Sequence, residues 1–133
     1  MPDTQQTQAA PVRLVIVDDH PGVRAGLAQL LGGLEDIEVV GLAVDGEDAT
    51  CLCRKMRPDV VLMDLSMPRL DGVGATRRIM SERPQTRVII ITSGSRLRIT
   101  QALAAGAVSS VFKHDTEEVI IDAVRTAAAI GMS

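Results

Sequence analysis

The sequence contains no tryptophan and no tyrosine, and Phe112 is its single phenylalanine. Single-stranded nucleic acid is held by bases stacked on exposed aromatic rings, so that class of binder is excluded. The core has to be assembled from Val, Ile, Leu, Ala and Met. Cysteine is nearly as scarce. Cys51 and Cys53 stand two apart in a helical pattern, where their side chains diverge. They make no disulfide framework, and a zinc site would need further ligands. Two free thiols suit a reducing compartment, so a cytoplasmic location is expected. No apolar run reaches the roughly 20 residues that cross a bilayer. The polar start MPDTQQTQAAP has neither the basic n-region nor the apolar h-region of a secretory signal. Excess positive charge is also missing. Fourteen Lys and Arg against 17 Asp and Glu leave a net charge of −3, which gives no electrostatic footprint for nucleic acid.

What the 133 residues do contain is one repeated alternation. Residues 1–11 read as a disordered lead-in. Five apolar runs follow, at 12–19, 37–44, 59–64, 87–92 and 108–113, and the first, third and fourth are apolar on both faces. Between and after them lie helical patterns at 21–34, 46–56, 72–82, 95–107 and 115–130. Pro21 suits a first helical turn, and Gly32 and Gly33 suit a stop. Asp45 is placed to cap the second helix, and Pro58 to close it off. Asp115 with Glu118 predicts a capping box for the fifth. Strands alternating with helices of 10–15 residues predict an α/β domain over 12–130, a doubly wound (βα)5 parallel sheet covered on both faces. Residues 131–133 would begin a linker.

In an open parallel sheet the strand C-termini share one rim, and ligands bind there. The first run ends in Asp18-Asp19, the third in Asp64, the fourth in Thr92 and the fifth in Lys113. Each has an ordinary structural explanation alone. Asp19 can cap the first helix, Asp64 can form an Asx-turn ahead of Pro68, Thr92 can cap the fourth helix, and Lys113 can be a solvated charge. Asp71 reads as a turn or cap residue. Together they crowd three carboxylates beside a lysine, provided the first and third strands are neighbours. Like charges that close force one group toward its protonated form. A hard divalent cation such as Mg²⁺ relieves that strain, binding one or two carboxylates plus waters and a phosphate oxygen. His20 borders the rim, but no His or Cys is expected within it for zinc. A carboxylate beside a cation and a lysine can attack phosphorus and carry the phosphoryl group.

The ordered set VDDH, LMDLSMPRLDG, IIIT and FK resembles the receiver domain of two-component response regulators, across residues 12–130. DDHPGVRAGL and RPDVVLMDLSMP are most similar to the subfamily whose receivers precede a LuxR-type helix-turn-helix. The resemblance implies a flavodoxin-like fold with strand order 2-1-3-4-5. It implies that Asp64 accepts phosphate from a histidine kinase. Mg²⁺ would bind to Asp19, Asp64 and the backbone carbonyl of Ser66, with Asp18 behind them. Thr92 would be the switch hydroxyl and Lys113 the phosphate-contacting lysine. A homodimer formed on phosphorylation, and DNA binding through a C-terminal domain absent from these residues, would be the output. The alternative is a stand-alone or degenerate receiver that acts as an interaction module. A haloacid-dehalogenase-like phosphatase would carry a second acid where Ser66 stands.

Three features depart from the family. Ser110 occupies the position of the usual strand-5 aromatic, which leaves Phe112 as the candidate switch ring. His114 follows the lysine where many receivers have proline, so a trans peptide is expected. The fourth helix opens GSRLR, placing Arg96 and Arg98 against the positive end of its dipole.

Overall fold

The computed structural model describes residues 10–67 and 70–130. The lead-in at 1–9, Pro68 and the linker start at 131–133 lie outside the described residues. In chain order the elements are β1 (Val12–Val17), α1 (Pro21–Gly32), β2 (Ile37–Ala43), α2 (Gly46–Met56), β3 (Val60–Asp64), α3 (Gly72–Glu82), β4 (Arg87–Thr92), α4 (Arg96–Ala104), β5 (Ser109–Phe112) and α5 (Glu117–Ile130). The five strands form one parallel sheet in the order β2-β1-β3-β4-β5, as expected.

Alternation along the strands divides the core in two. Leu14, Ile16, Val60, Leu62, Ile89, Ile91 and Val111 pack with Leu27 and Leu31 of α1 and with Ile120, Val124 and Ala127 of α5. Val15, Val17, Val61, Met63, Val88 and Ile90 pack on the opposite face with Ala49 and Cys53 of α2, Ala75 and Ile79 of α3, and Ala102 of α4. The middle strands therefore have no polar face, because neither side meets water. Each such side chain contributes roughly 1.5–3 kcal/mol when fully buried.

Local signals set most element ends. Asp45 caps α2 by accepting the Asp48 N–H at 2.8 Å. That helix closes at Arg57, whose φ of 49° is left-handed, one residue ahead of Pro58. Asp71 caps α3 through the Gly74 N–H at 2.9 Å. Two expected caps differ. α4 begins after Ser95, not Thr92, and Ser95 Oγ accepts the Arg98 N–H at 3.4 Å. α5 begins after Thr116, whose Oγ1 accepts the Val119 N–H at 3.3 Å. Asp115 turns back instead and accepts the Phe112 N–H at 2.7 Å, while its own N–H bonds the Phe112 carbonyl at 3.0 Å. The chain at Lys113 is thereby held in a closed turn rather than drawn into a helix. No peptide among the described residues is cis, so the bond before His114 is trans as expected.

Candidate functional site

Asp18, Asp64 and Lys113 converge because they have the same strand parity. Asp18 continues the series Leu14, Ile16; Asp64 continues Val60, Leu62; Lys113 continues Val111. All three series face α1 and α5. The last residue of each series lies beyond the apolar layer, at the C-terminal rim. Asp18 is fully buried and Asp64 is 2 % exposed. Lys113 Nζ lies 3.2 Å from Asp18 Oδ2 and 3.4 Å from Asp64 Oδ1.

The turn after β1 completes the acidic group. Asp18 Oδ1 accepts the His20 N–H at 2.9 Å and lies 3.1 Å from the ring Nδ1. The same Nδ1 is 3.1 Å from Asp19 Oδ1. Asp19 does not cap α1; His20 occupies that position, without a side-chain cap bond. Ligand atoms of Asp18, Asp19, His20 and Asp64 all lie within 4.8 Å of one another. His20 is thus a member of the group rather than a border residue, and the expectation that no histidine stands within ligand range of the rim is corrected. Its ring is drawn in because the turn that caps α1 folds it back over both acids.

Burial pushes the Asp64 carboxyl up to about 6, and the Asp18 charge adds to the rise. Lys113 and the Ser66 N–H oppose it. Partial burial pulls the Lys113 pKa down, but hydrogen bonding and charge from Asp18 and Asp64 outweigh this, and the ammonium is held above its ordinary value. Among the described residues, Asp64 Oδ2 is buried with no hydrogen-bond partner. A buried carboxylate oxygen left unmatched is costly, and three clustered carboxylates form a hard oxygen donor set. The residues therefore fit a divalent cation.

The β3–α3 loop shapes the other wall. Ser66 N–H approaches Asp64 Oδ1 at 3.4 Å, the Asx-type contact expected of Asp64. Gly72 packs so closely that a Cβ there would collide with the Asp64 carbonyl and lie 2.7 Å from Leu65 Cα. Thr92 stands at the end of β4, with Phe112 beside it in register. The Thr92 hydroxyl accepts the Gly94 N–H at 3.2 Å and does not bond the Asp64 carboxylate. Phe112 is 38 % exposed and stacks on the His114 ring at 5.2 Å between centroids. Ser110, on the same strand face, is also exposed.

Two arginines near the site were not legible as parts of it. Arg24 Nη1 donates to the Asp18 carbonyl at 2.6 Å. Arg98 Nη2 donates to the Leu65 carbonyl at 2.9 Å and to Asp71 Oδ2 at 2.8 Å. Both lie near a helix N-terminus, where the dipole disfavours a cation. That misplacement was their one available signal.

The described residues include no helix long and apolar enough to cross a membrane. A response regulator receiver domain model matches residues 14–125. The transcriptional regulatory protein LiaR of Bacillus subtilis is 39% identical over 118 residues, covering 88% of this chain and 56% of LiaR. The chain spans about half the length of the curated relatives it matches. The signal receiver domain of the response regulator NarL from Mycobacterium tuberculosis superposes with a TM-score of 0.87 at 35% identity, over 92% of this chain and 99% of that one. The Borrelia burgdorferi CheX–CheY complex with BeF3 and Mg²⁺ gives a TM-score of 0.81 at 27% identity, covering 88% and 89%. The five-stranded parallel sheet agrees with the family match over residues 14–125, and the chain belongs to the response regulator receiver domain family.

Proposed function

We propose that Asp64 is a phosphoacceptor. One carboxylate oxygen attacks the phosphorus of a phosphohistidine on a histidine kinase. The P–N bond breaks, the imidazole leaves with its electron pair, and the phosphoryl group remains on Asp64 as an acyl phosphate. The observation that carries this reading is the Asp64 carboxyl itself. It is buried, it has one unpartnered oxygen, it is raised to about 6, and it has an ammonium 3.4 Å away. Such a group is ionised at neutral pH yet poorly solvated, which suits a nucleophile.

Asp19, Asp64 and the Ser66 carbonyl would hold Mg²⁺, with Asp18 behind them and beside Lys113. When bound, Mg²⁺ offsets charge on the transferring phosphoryl oxygens. Lys113 supplies a second, fixed positive charge to the same oxygens. Thr92 would donate its hydroxyl proton to a phosphoryl oxygen, a proton that accepting the Gly94 N–H leaves free. Phe112 is the ring available to follow that movement. The BeF3 and Mg²⁺ of the CheY relative support this assignment. The chemistry ends with transfer to Asp64 and hydrolysis from it. Output follows by a shift between two conformational populations. In the full protein this would be homodimerisation and control of a C-terminal DNA-binding helix-turn-helix, a reading supported by the transcription-regulator relatives.

Incubation with acetyl phosphate and Mg²⁺, followed by intact mass, should show one added phosphate, and Asp64→Asn should abolish it. Uptake that survives the substitution would move the acceptor elsewhere. No uptake by the unsubstituted protein would leave an interaction module with a vestigial site.

A further inference from the structure

Arg98 is the third residue of α4 and opposes that helix's dipole. Its guanidinium crosses to the β3–α3 loop, where Nη2 donates to both the Leu65 carbonyl and Asp71 Oδ2. The Leu65 carbonyl also accepts the Gly72 N–H at 3.1 Å. A peptide unit is planar and trans. The Leu65 carbonyl and the Ser66 N–H are therefore two ends of one rigid plane that point in opposite directions. The N–H end approaches Asp64 Oδ1.

We infer that Arg98 is a positioning residue for phosphoryl transfer, acting through the Leu65–Ser66 peptide. By gripping the carbonyl end it aims the Ser66 N–H at the acceptor carboxylate, ready for an oxygen of the incoming phosphoryl group. The inference rests on Asp64 being the acceptor. Gly72 supplies a second grip, but from the start of α3, at the end of the same loop. Arg98 alone of the two belongs to α4, so it ties the segment that follows Thr92 to the loop that follows Asp64. Asp71 makes this possible. Its Oδ1 caps α3 while its Oδ2 neutralises the guanidinium, so the arginine adds no uncompensated charge at the start of α4.

The test compares Arg98→Ala with Arg54→Ala, which breaks a different ion pair onto α3, with Glu82 at 2.7 Å. In ¹⁵N-labelled protein without Mg²⁺, Arg98→Ala should shift the Ser66 amide resonance and Arg54→Ala should not. At saturating Mg²⁺, Arg98→Ala should slow labelling by acetyl phosphate on the order of 10-fold, the scale of a modest misplacement near a reacting group. Arg98→Lys keeps the charge but not the planar fork; it should fold even if the alanine variant does not, and label at an intermediate rate. An unmoved Ser66 amide, or labelling at or above the unsubstituted rate in either Arg98 variant, would overturn the positioning role. If the unsubstituted protein takes up no phosphate at Asp64, the functional reading itself falls, and this inference with it.

Discussion

Lys113 and Asp64 meet although their strands never pair. Strand β4 lies between β3 and β5, and still Nζ stands 3.4 Å from Oδ1. The lysine is long enough to pass over the end of β4, and the Phe112–Asp115 turn fixes its starting point. Its ammonium thereby offsets two buried carboxylates from two other strands.

Replacing Lys113 should therefore expose a conflict between those acids. Lys113→Ala leaves Asp18 and Asp64 facing each other without the ammonium, and removing one partner of a buried group is costly. The expected loss is about 2 kcal/mol at pH 7 in a chelator, discounted because the lysine is partly exposed. Urea unfolding measures it, and Mg²⁺ should restore part of it.

The Asp64 carboxyl should make stability fall as pH rises. Its folded pKa, about 6, lies above the ordinary 3.8, so the folded state binds the extra proton. That contribution is complete below about pH 4 and is lost as pH rises through about 6. Asp64→Asn, which cannot ionise, should be more stable than the unsubstituted chain at pH 7.5 by roughly 2 kcal/mol and nearly equal to it at pH 4. Denaturant titrations in a chelator at the two pH values check both sign and window.

Gly72 should tolerate no side chain. A Cβ there meets the Asp64 carbonyl and Leu65 Cα, which are backbone atoms unable to swing away. Gly72→Ala should cost on the order of 1–3 kcal/mol, as overpacking does, and should slow phosphate uptake by moving Asp64. Gly26, inside α1 with nothing within 4 Å of a Cβ, is the control. Gly26→Ala should gain about 0.5–1 kcal/mol from helix propensity alone. Thermal melts of the pair give the contrast.

The two thiols should separate cleanly. Cys51 is exposed and Cys53 is buried, and burial pushes the Cys53 thiol up to about 12. The thiolate is the reactive form. A thiol reagent should titrate one cysteine per folded chain and two after denaturation. Two in the folded state would place Cys53 at the surface.

How far the sequence carried differs by element. The strands were legible because apolar runs without alternation occur where both faces are covered, whereas their order was implied only by the resemblance to the receiver family. Asp45 and Asp71 were legible as caps because capping is local, a side chain bonding an N–H three residues on. Asp115 and Thr92 met the same local pattern and did something else, since Phe112 and Gly94 offered nearer donors. His20 was seen as a bystander because one residue's turn decides whether a ring folds over its neighbours.

The sequence by itself determined which chemistry the rim could hold: three acids, a hydroxyl and a lysine, each at the end of a run whose burial is dictated by composition. Only the tertiary structure decided what surrounds them. Arg24, Arg98 and the ring of His20 reach across gaps between elements that are distant in the chain or turn sharply. A hydrogen bond depends on distances of a few tenths of an ångström, which periodicity does not encode and packing does.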